Sequence, residues 1–160
     1  MTRLVVVAWG NPSRGDDALG PQFLEAAQAL FPVPGLDVAF VTDFQLQPEH
    51  CTDLDGRDLA LFVDASLRAV APFTFDAVST SRAHTFTTHG MSPGALLAAY
   101  ADAYQAPPPP AFVLAIRGER FELGEPVGAS AAEHLRQALA FYQRLLADPA
   151  AASWQRLAGS

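Results

Sequence analysis

Three polar positions carry most of the chemistry that this sequence offers: Asp17, Asp64 and His89. Two carboxylates and one imidazole suit a borderline divalent ion such as Ni²⁺ or Zn²⁺. Three protein ligands also leave coordination positions open, as a site that meets a substrate requires. Each residue follows a different apolar segment, which permits the three side chains to converge. The sequence therefore predicts a metal-contacting site built from these residues.

Asp17 belongs to a polar loop, Gly10 to Gly20, in which Asp16 precedes it directly. A phosphate-binding loop would need G-x-G-x-x-G or G-x-x-x-x-G-K-[ST], and the loop contains neither pattern. Two adjacent carboxylates would also repel a phosphate. One acid suits the N-terminus of the following helix, which leaves the other to contact a cation. Asp16 is our first candidate for a general base, and hydrogen bonding within the loop is its equally weighted alternative role.

The other two positions also have plainer interpretations. Asp64 ends an apolar run, where an aspartate often caps a turn or a helix. An aspartate-based phosphotransferase would want a second acid two residues after Asp64, but Ser66 stands there. A loop histidine is more often solvated or hydrogen-bonded than a ligand, and we predict that role for His84 and for His134.

The elements that must position these residues follow a β-α-β-α-β order. The apolar runs 4–8 and 59–63 predict buried parallel strands. Further strands are predicted at 38–42, 73–78 and 112–116, and the alternation of apolar and polar residues over 73–78 suits an antiparallel edge strand. Helices are predicted from residue 20, over 48–56, over 92–104 with Ser92 as cap and Pro93 in the first turn, and over 129–146. The pattern predicts a three-layer α/β/α sandwich, with a mostly parallel, twisted sheet of about five strands and helices on both faces. In such sheets function collects outside the carboxyl ends of the strands, where the three polar positions fall. One domain is expected over residues 1–148, followed by a flexible tail over 149–160.

Composition restricts the class of protein. The chain has 160 residues, of which 50% are hydrophobic and 17% charged, and its net charge is −7. An acidic surface makes nucleic acid and anionic membranes poor partners. The single cysteine, Cys51, and the lack of a signal peptide favour a reducing, cytoplasmic location, and a monomer is expected. Cys51 is interpreted as a partly buried small residue rather than a nucleophile.

Several of these motifs resemble, in order and spacing, the maturation endopeptidases of the NiFe-hydrogenase large subunit. The shared features are Gly10-Asn11, Asp16-Asp17 and Gly20 after the first strand; Val63-Asp64-Ala65; His89 before a helix with Leu96-Leu97; and Phe121-Glu122-Leu123-Gly124. The resemblance extends over nearly the whole chain to about Leu146.

The resemblance implies an enzyme that removes the C-terminal extension of a nickel-loaded large-subunit precursor. Asp17, Asp64 and His89 would then read the nickel that the precursor presents, and no permanently bound cofactor is expected. Because a metal-binding imidazole must be neutral, activity is expected to fall at low pH as His89 is protonated. The alternatives are a chaperone that binds the precursor without cutting it, and a small-molecule-binding α/β module.

One segment departs from the family pattern. Many members have a Gly-Gly-Thr type loop after the second strand, whereas this chain reads Asp43-Phe44-Gln45-Leu46-Gln47-Pro48-Glu49-His50. That segment resembles the subgroup that serves soluble, NAD-reducing-type hydrogenases. Asn11, Gln45, Glu49 and His50 are predicted to contact the substrate, although Glu49 and His50 fit the surface of a helix equally well.

Overall fold

A five-stranded sheet forms the centre of the computed structural model, which describes residues 1–81 and 90–159. Its strands lie in the order β2-β1-β3-β5-β4. They are β1 (Thr2–Trp9), β2 (Leu36–Asp43), β3 (Leu59–Ser66), β4 (Phe73–Ala77) and β5 (Ala111–Arg117). All neighbours are parallel except β4, which pairs antiparallel with β5 at one edge. The predicted three-layer α/β/α architecture is confirmed, as is the antiparallel edge strand.

Helices cover the two faces of the sheet. They are α1 (Leu19–Ala29), α2 (Cys51–Leu54), α3 (Pro93–Tyr104), α4 (Ala129–Ala147) and α5 (Ala151–Leu157), with short 3₁₀ turns at Gly15–Ala18 and Pro48–His50. The Ser92 hydroxyl accepts a hydrogen bond from the Ala95 N–H (3.1 Å), which confirms Ser92 as the predicted cap of α3. No helix in the described ranges is both long and apolar enough to cross a membrane.

The apolar strands are buried on both faces because each face has its own core. In β1, Leu4, Val6 and Ala8 join the core under α1 and α4, while Val5 and Val7 join the core under α3. Successive side chains of a strand point to opposite faces, so a strand between two helix layers needs an unbroken apolar run. The run 4–8 therefore fixes β1 in the middle of the sheet.

Parallel strands place their carboxyl ends at one edge of the sheet, and four loops meet there. We call residues 10–18, 44–47, 67–72 and 118–128 the carboxyl-edge loops. The Gly124 N–H donates to Ser13 O (2.7 Å) and joins loop 118–128 to loop 10–18, while the bonds from Gly10 N–H to Asp43 O (3.1 Å) and from Gly118 N–H to Ser66 O (3.0 Å) extend the strand pairing to the first residue of each loop. The four loops therefore lie at the same edge of the sheet.

Two predictions about this scaffold need correction. Asp64 does not end its strand, because β3 continues to Ser66 through pairing with β5. The expected flexible tail also contains α5, whose Trp154 side chain is fully buried and donates its indole N–H to Leu145 O (3.0 Å). The Gly159 N–H then donates to Phe75 O of β4 (2.8 Å). An apolar aromatic anchor and a backbone hydrogen bond thus hold the tail on the sheet.

We expect Trp154→Ala to lower the free energy of unfolding by about 3–5 kcal/mol, because it empties a fully buried site. Urea denaturation followed by circular dichroism measures the loss. Gln155→Ala is the matched control, since its side chain is exposed one position away. Equal stabilities for the two variants would contradict a structural role for α5.

Candidate functional site

Close backbone approaches hold Asp17 against the end of β1. Gly10 has φ +146°, and a Cβ at that position would lie 2.0 Å from the Asp17 carbonyl oxygen. A Cβ at Gly20 would similarly lie 2.3 Å from the Trp9 carbonyl oxygen, so α1 begins in direct contact with the strand. The Asn11 N–H donates to Asp17 Oδ2 (2.8 Å) and fixes the carboxylate. The glycine pattern of the loop is therefore a packing requirement that orients Asp17.

Asp64 lies near Asp17 because β3 pairs with β1. Val63 is opposite Ala8, so Asp64 follows directly at the level where β1 ends. Its side chain is partly buried. Burial and then the negative charge of Asp17 raise the pKa of the Asp64 carboxyl from 3.8 to about 7, against the lowering effect of the Ala65 N–H. The structure thus brings two of the three predicted ligands together.

Two ionised carboxylates in a partly buried site repel each other unless a proton or a cation neutralises part of their charge. Burial is the larger cause of the raised pKa of Asp64 and repulsion by Asp17 is the second, and a proton on Asp64 relieves both in the metal-free protein. A divalent cation would relieve the repulsion further, since oxygen ligands suit such ions. Within residues 1–81 and 90–159 no group of three metal-binding side chains occurs. The third predicted ligand, His89, lies outside the described residues, as does His84.

Asp16 has a different environment from its neighbour. It is buried, and its carboxylate accepts hydrogen bonds from the N–H groups of Glu119 (2.7 Å), Arg120 (3.1 Å) and Gly128 (2.8 Å). Burial raises the pKa of this carboxyl, but the three N–H groups and the Arg120 charge outweigh burial and leave the pKa below 3.8. A carboxylate held in this way is a poor proton acceptor. The structure therefore favours a hydrogen-bonding role over that of general base, but the partners lie in loop 118–128 and not, as predicted, within the loop of Asp16 itself.

The four predicted substrate contacts differ in accessibility. Gln45 and Glu49 are exposed and Asn11 is half-buried, but His50 is buried. The Nδ1 of His50 accepts the Gln47 N–H (2.9 Å), and its Nε2 lies 3.3 Å from Asp43 Oδ2. His50 therefore supports the loop after β2 instead of facing a ligand. Its partner Asp43 was not predicted, and no spacing rule in the sequence indicates the pair.

Residues that sequence analysis left aside have structural roles. Burial raises the pKa of the Cys51 thiol, so the thiolate is scarce at neutral pH and a nucleophilic role is disfavoured. The Ser66 hydroxyl accepts the Arg68 and Ala69 N–H groups (both 3.1 Å) and so shapes a turn. His134 is half-buried, and its Nδ1 lies 2.9 Å from Arg117 O, which agrees with the hydrogen-bonded role predicted for it.

An open groove of about 490 Å³ lies between the first turns of α4 and the loop after β3. Its lining is Ala71, Pro72, Ala129, Ser130, Glu133, His134 and Gln137. Glu133 is already paired with Arg136, and neither Asp17 nor Asp64 lines the groove. We therefore place the candidate site at the carboxylate pair and not in this groove.

Comparison with solved structures gives a consistent class of fold. The chain is similar to the [NiFe] hydrogenase maturation protease HycI from Thermococcus kodakarensis KOD1, at a TM-score of 0.70 and 18% identity over 92% of this chain and 94% of that one. It is similar to the hydrogenase maturating endopeptidase HybD from E. coli at a TM-score of 0.73, with 17% identity over 92% and 94% of the two chains. An endopeptidase from Escherichia coli gives a TM-score of 0.70, with 19% identity over 91% and 92%.

These likenesses extend over nearly the whole of both chains, so the protein has the fold of the hydrogenase maturation endopeptidases. The resemblance noted in the sequence is confirmed at the level of the fold. No protein-family model and no curated protein sequence matches the chain.

We expect Asp16→Ala to lower the free energy of unfolding by roughly 3 kcal/mol at pH 7, because three partly buried backbone N–H groups lose a charged acceptor. In the wild type the contribution is present above pH 3.8 and is lost as pH falls through the depressed pKa. Urea denaturation at pH 7 and pH 3 measures both effects. Glu119→Ala is the control, since its exposed side chain leaves the N–H in place; equal losses in the two variants would contradict the argument.

We expect Asp64→Asn to stabilise the metal-free protein at pH 8 but not at pH 4. A carboxyl whose pKa rises on folding binds its proton more tightly in the native state, so stability falls as pH rises from 3.8 to about 7. The asparagine has no charge to bury. The free energy of unfolding of the variant, relative to that of the wild type, should therefore be about 2–4 kcal/mol higher at pH 8 than at pH 4. Urea denaturation in chelator measures this gain, with the exposed Glu122→Gln as control. A gain that does not depend on pH would contradict the raised pKa of Asp64.

Proposed function

We propose that the protein is an endopeptidase that removes the C-terminal extension of a nickel-loaded NiFe-hydrogenase large-subunit precursor. The observation that carries this proposal is the repelling carboxylate pair, Asp17 and Asp64, at the carboxyl edge of a maturation-endopeptidase fold. Such a pair is suited to accept a cation that arrives from outside. The nickel is part of the substrate in this proposal, and the protein brings no metal of its own.

The residues around the pair support this assignment. Asp17 is held by the Asn11 N–H, so one ligand is already oriented before a metal arrives. With a pKa of about 7, Asp64 is partly protonated near neutral pH and would release that proton to a cation, which makes metal contact dependent on pH. His89 is proposed as the third ligand. Gly90, the next residue, lies beside the loop after β2, since a Cβ there would be 3.0 Å from Leu46 O.

Recognition and positioning follow from the same contact. When a metal bound in the precursor meets Asp17 and Asp64, it fixes the position of the precursor relative to the protein. A metal ion supplies polarisation of a peptide carbonyl and activation of water. A precursor without nickel would leave the two carboxylates repelling each other and would bind weakly. The carboxylate pair thereby distinguishes the nickel-loaded precursor from the unloaded one. The proposal includes a cytoplasmic location and a monomeric enzyme.

The alternative functions find less support in these residues. A phosphotransferase that used Asp64 would have to bring a phosphate beside the Asp17 charge, and Ser66, two residues on, is occupied in a turn. A nucleotide-binding module would place phosphates in loop 10–18, where Asp17 accepts the Asn11 N–H that would otherwise contact the ligand.

The test is incubation of the protein with nickel-loaded precursor and with matched nickel-free precursor. We expect loss of a C-terminal peptide from the loaded form only, read by mass spectrometry. Asp17→Ala, Asp64→Ala and His89→Ala should each reduce the rate by at least about a hundredfold, since each removes one metal contact. Glu25→Gln, which changes an exposed acid of α1 outside the carboxyl-edge loops, should cleave at the rate of the wild type.

The outcomes separate the rival functions. Tight, nickel-dependent binding without cleavage would indicate a chaperone. No interaction with either precursor would overturn the proposal and favour a small-molecule-binding module. Cleavage of both precursor forms at equal rates would show a peptidase that does not sense nickel.

A further inference from the structure

Large apolar side chains project from three of the four carboxyl-edge loops. Phe44 follows β2, Leu67 and Val70 follow β3, and Leu123 follows β5; their exposed fractions range from 56% to 75%. We call these four residues the apolar rim. These residues follow the carboxyl ends of parallel strands, so the rim lies at the same edge of the sheet as loop 10–18, which carries Asp17.

The loop that carries Leu67 and Val70 is fixed in place by its polar contacts. The Ser66 hydroxyl accepts the Arg68 and Ala69 N–H groups, and the Arg117 guanidinium donates to Ala69 O (3.1 Å). Hydrogen bonds from both Ser66 and Arg117 therefore fix the backbone of this turn. The fixed backbone keeps Leu67 and Val70 exposed to solvent, whereas a loose loop could fold them back onto the protein.

The loop that carries Leu123 is fixed in the same way. The Gly124 N–H donates to Ser13 O (2.7 Å), and the Arg14 side chain donates to Phe121 O (2.8 Å). Asp16 holds both ends of this loop through Glu119 and Gly128. Apolar residues that are exposed and already ordered lose little entropy on binding, which is the property of good interface anchors.

We propose that the apolar rim is the docking surface for the folded body of the protein that presents its metal to Asp17 and Asp64; this inference rests on the proposed function. The occupant is therefore the large-subunit precursor, contacted through an apolar patch that surrounds its metal. Charge complementarity supports this choice, because Asp17 and Asp64 place two carboxylates at this edge, where β1 and β3 run side by side, and the metal that the precursor presents is a cation. The four loops also contain enough chain for the roughly 20 residues that one side of a standard interface uses.

The apolar rim and the carboxylate pair have different roles, so their loss should change different kinetic constants. The carboxylates contact the metal, and their loss lowers the rate of cleavage. The rim contacts only the surface of the partner, so its loss weakens association and leaves the rate at saturation unchanged. Because the rim contacts do not involve the metal, they should contribute equally to the binding of loaded and unloaded precursor.

The test measures kcat and KM for cleavage of nickel-loaded precursor, and Kd by biolayer interferometry, with Val70→Ser, Leu123→Ser and the double variant. We expect KM and Kd to rise about tenfold for each single variant and about a hundredfold for the double variant, with kcat unchanged. Leu30→Ser is the matched control: Leu30 is also exposed but lies at the opposite edge of the sheet, after α1. Unchanged thermal melting of each variant shows that the fold is intact.

The outcomes distinguish this inference from the proposed function. Cleavage with wild-type KM in the rim variants would overturn the docking surface and leave the peptidase standing. Binding that depends on the rim, without any cleavage by the wild type, would support the surface and overturn the peptidase. Self-association that the rim variants abolish, with unchanged affinity for precursor, would assign the rim to a second copy of the chain and overturn this proposal, as would a wild type that does not bind the precursor.

Discussion

The carboxylate of Asp16 accepts three backbone N–H groups from residues that lie 103 to 112 positions further along the chain. This is the constraint on which the carboxyl edge depends. It fixes loop 10–18, which carries Asp17, against loop 118–128, which carries Leu123. Because the partners are backbone groups, the contact also sets where α4 begins. The proposed metal contact and the proposed docking surface therefore both depend on the hydrogen bonds that the Asp16 carboxylate accepts.

Adjacent residues of the same type thus have opposite electrostatic surroundings. Asp16 is directed into a segment that offers N–H donors, so its charge is stabilised although the side chain is buried. Asp17 lies close enough to Asp64 for its charge to add to the effect of burial and raise the pKa of the Asp64 carboxyl, and the Ala65 N–H does not offset the two. Both aspartates adjacent in sequence, Asp16 and Asp17, belong to the 3₁₀ turn over Gly15–Ala18. The first environment stabilises the fold, while the second leaves a site that is suited to a ligand with positive charge.

The scaffold was predictable from sequence because its signals are local. The apolar run 4–8, Ser92 with Pro93, and the alternation over 73–78 each reflect contacts that the pattern of one segment determines. The hydrogen-bond partners of Asp16 and His50 were not predictable. Asp16 binds N–H groups of a loop that is distant in sequence, and His50 binds the N–H of a loop that has no recognisable sequence pattern. Proximity of Asp17 and Asp64 was predictable in part, since both follow parallel strands. The raised pKa of Asp64 depends on burial and distance, which the sequence does not contain.

The attachment of α5 has a consequence for how the protein behaves at high concentration. β4 is an edge strand, and its outward backbone groups would offer a template for a strand of another molecule. The Gly159 N–H occupies the outward carbonyl of Phe75, and Trp154 packs against the Phe75 ring at 6.2 Å. The C-terminal segment therefore acts as a guard against edge-to-edge aggregation. Removal of the residues from 151 onward should expose the edge of β4, so that the shortened protein aggregates through intermolecular β-structure instead of only unfolding.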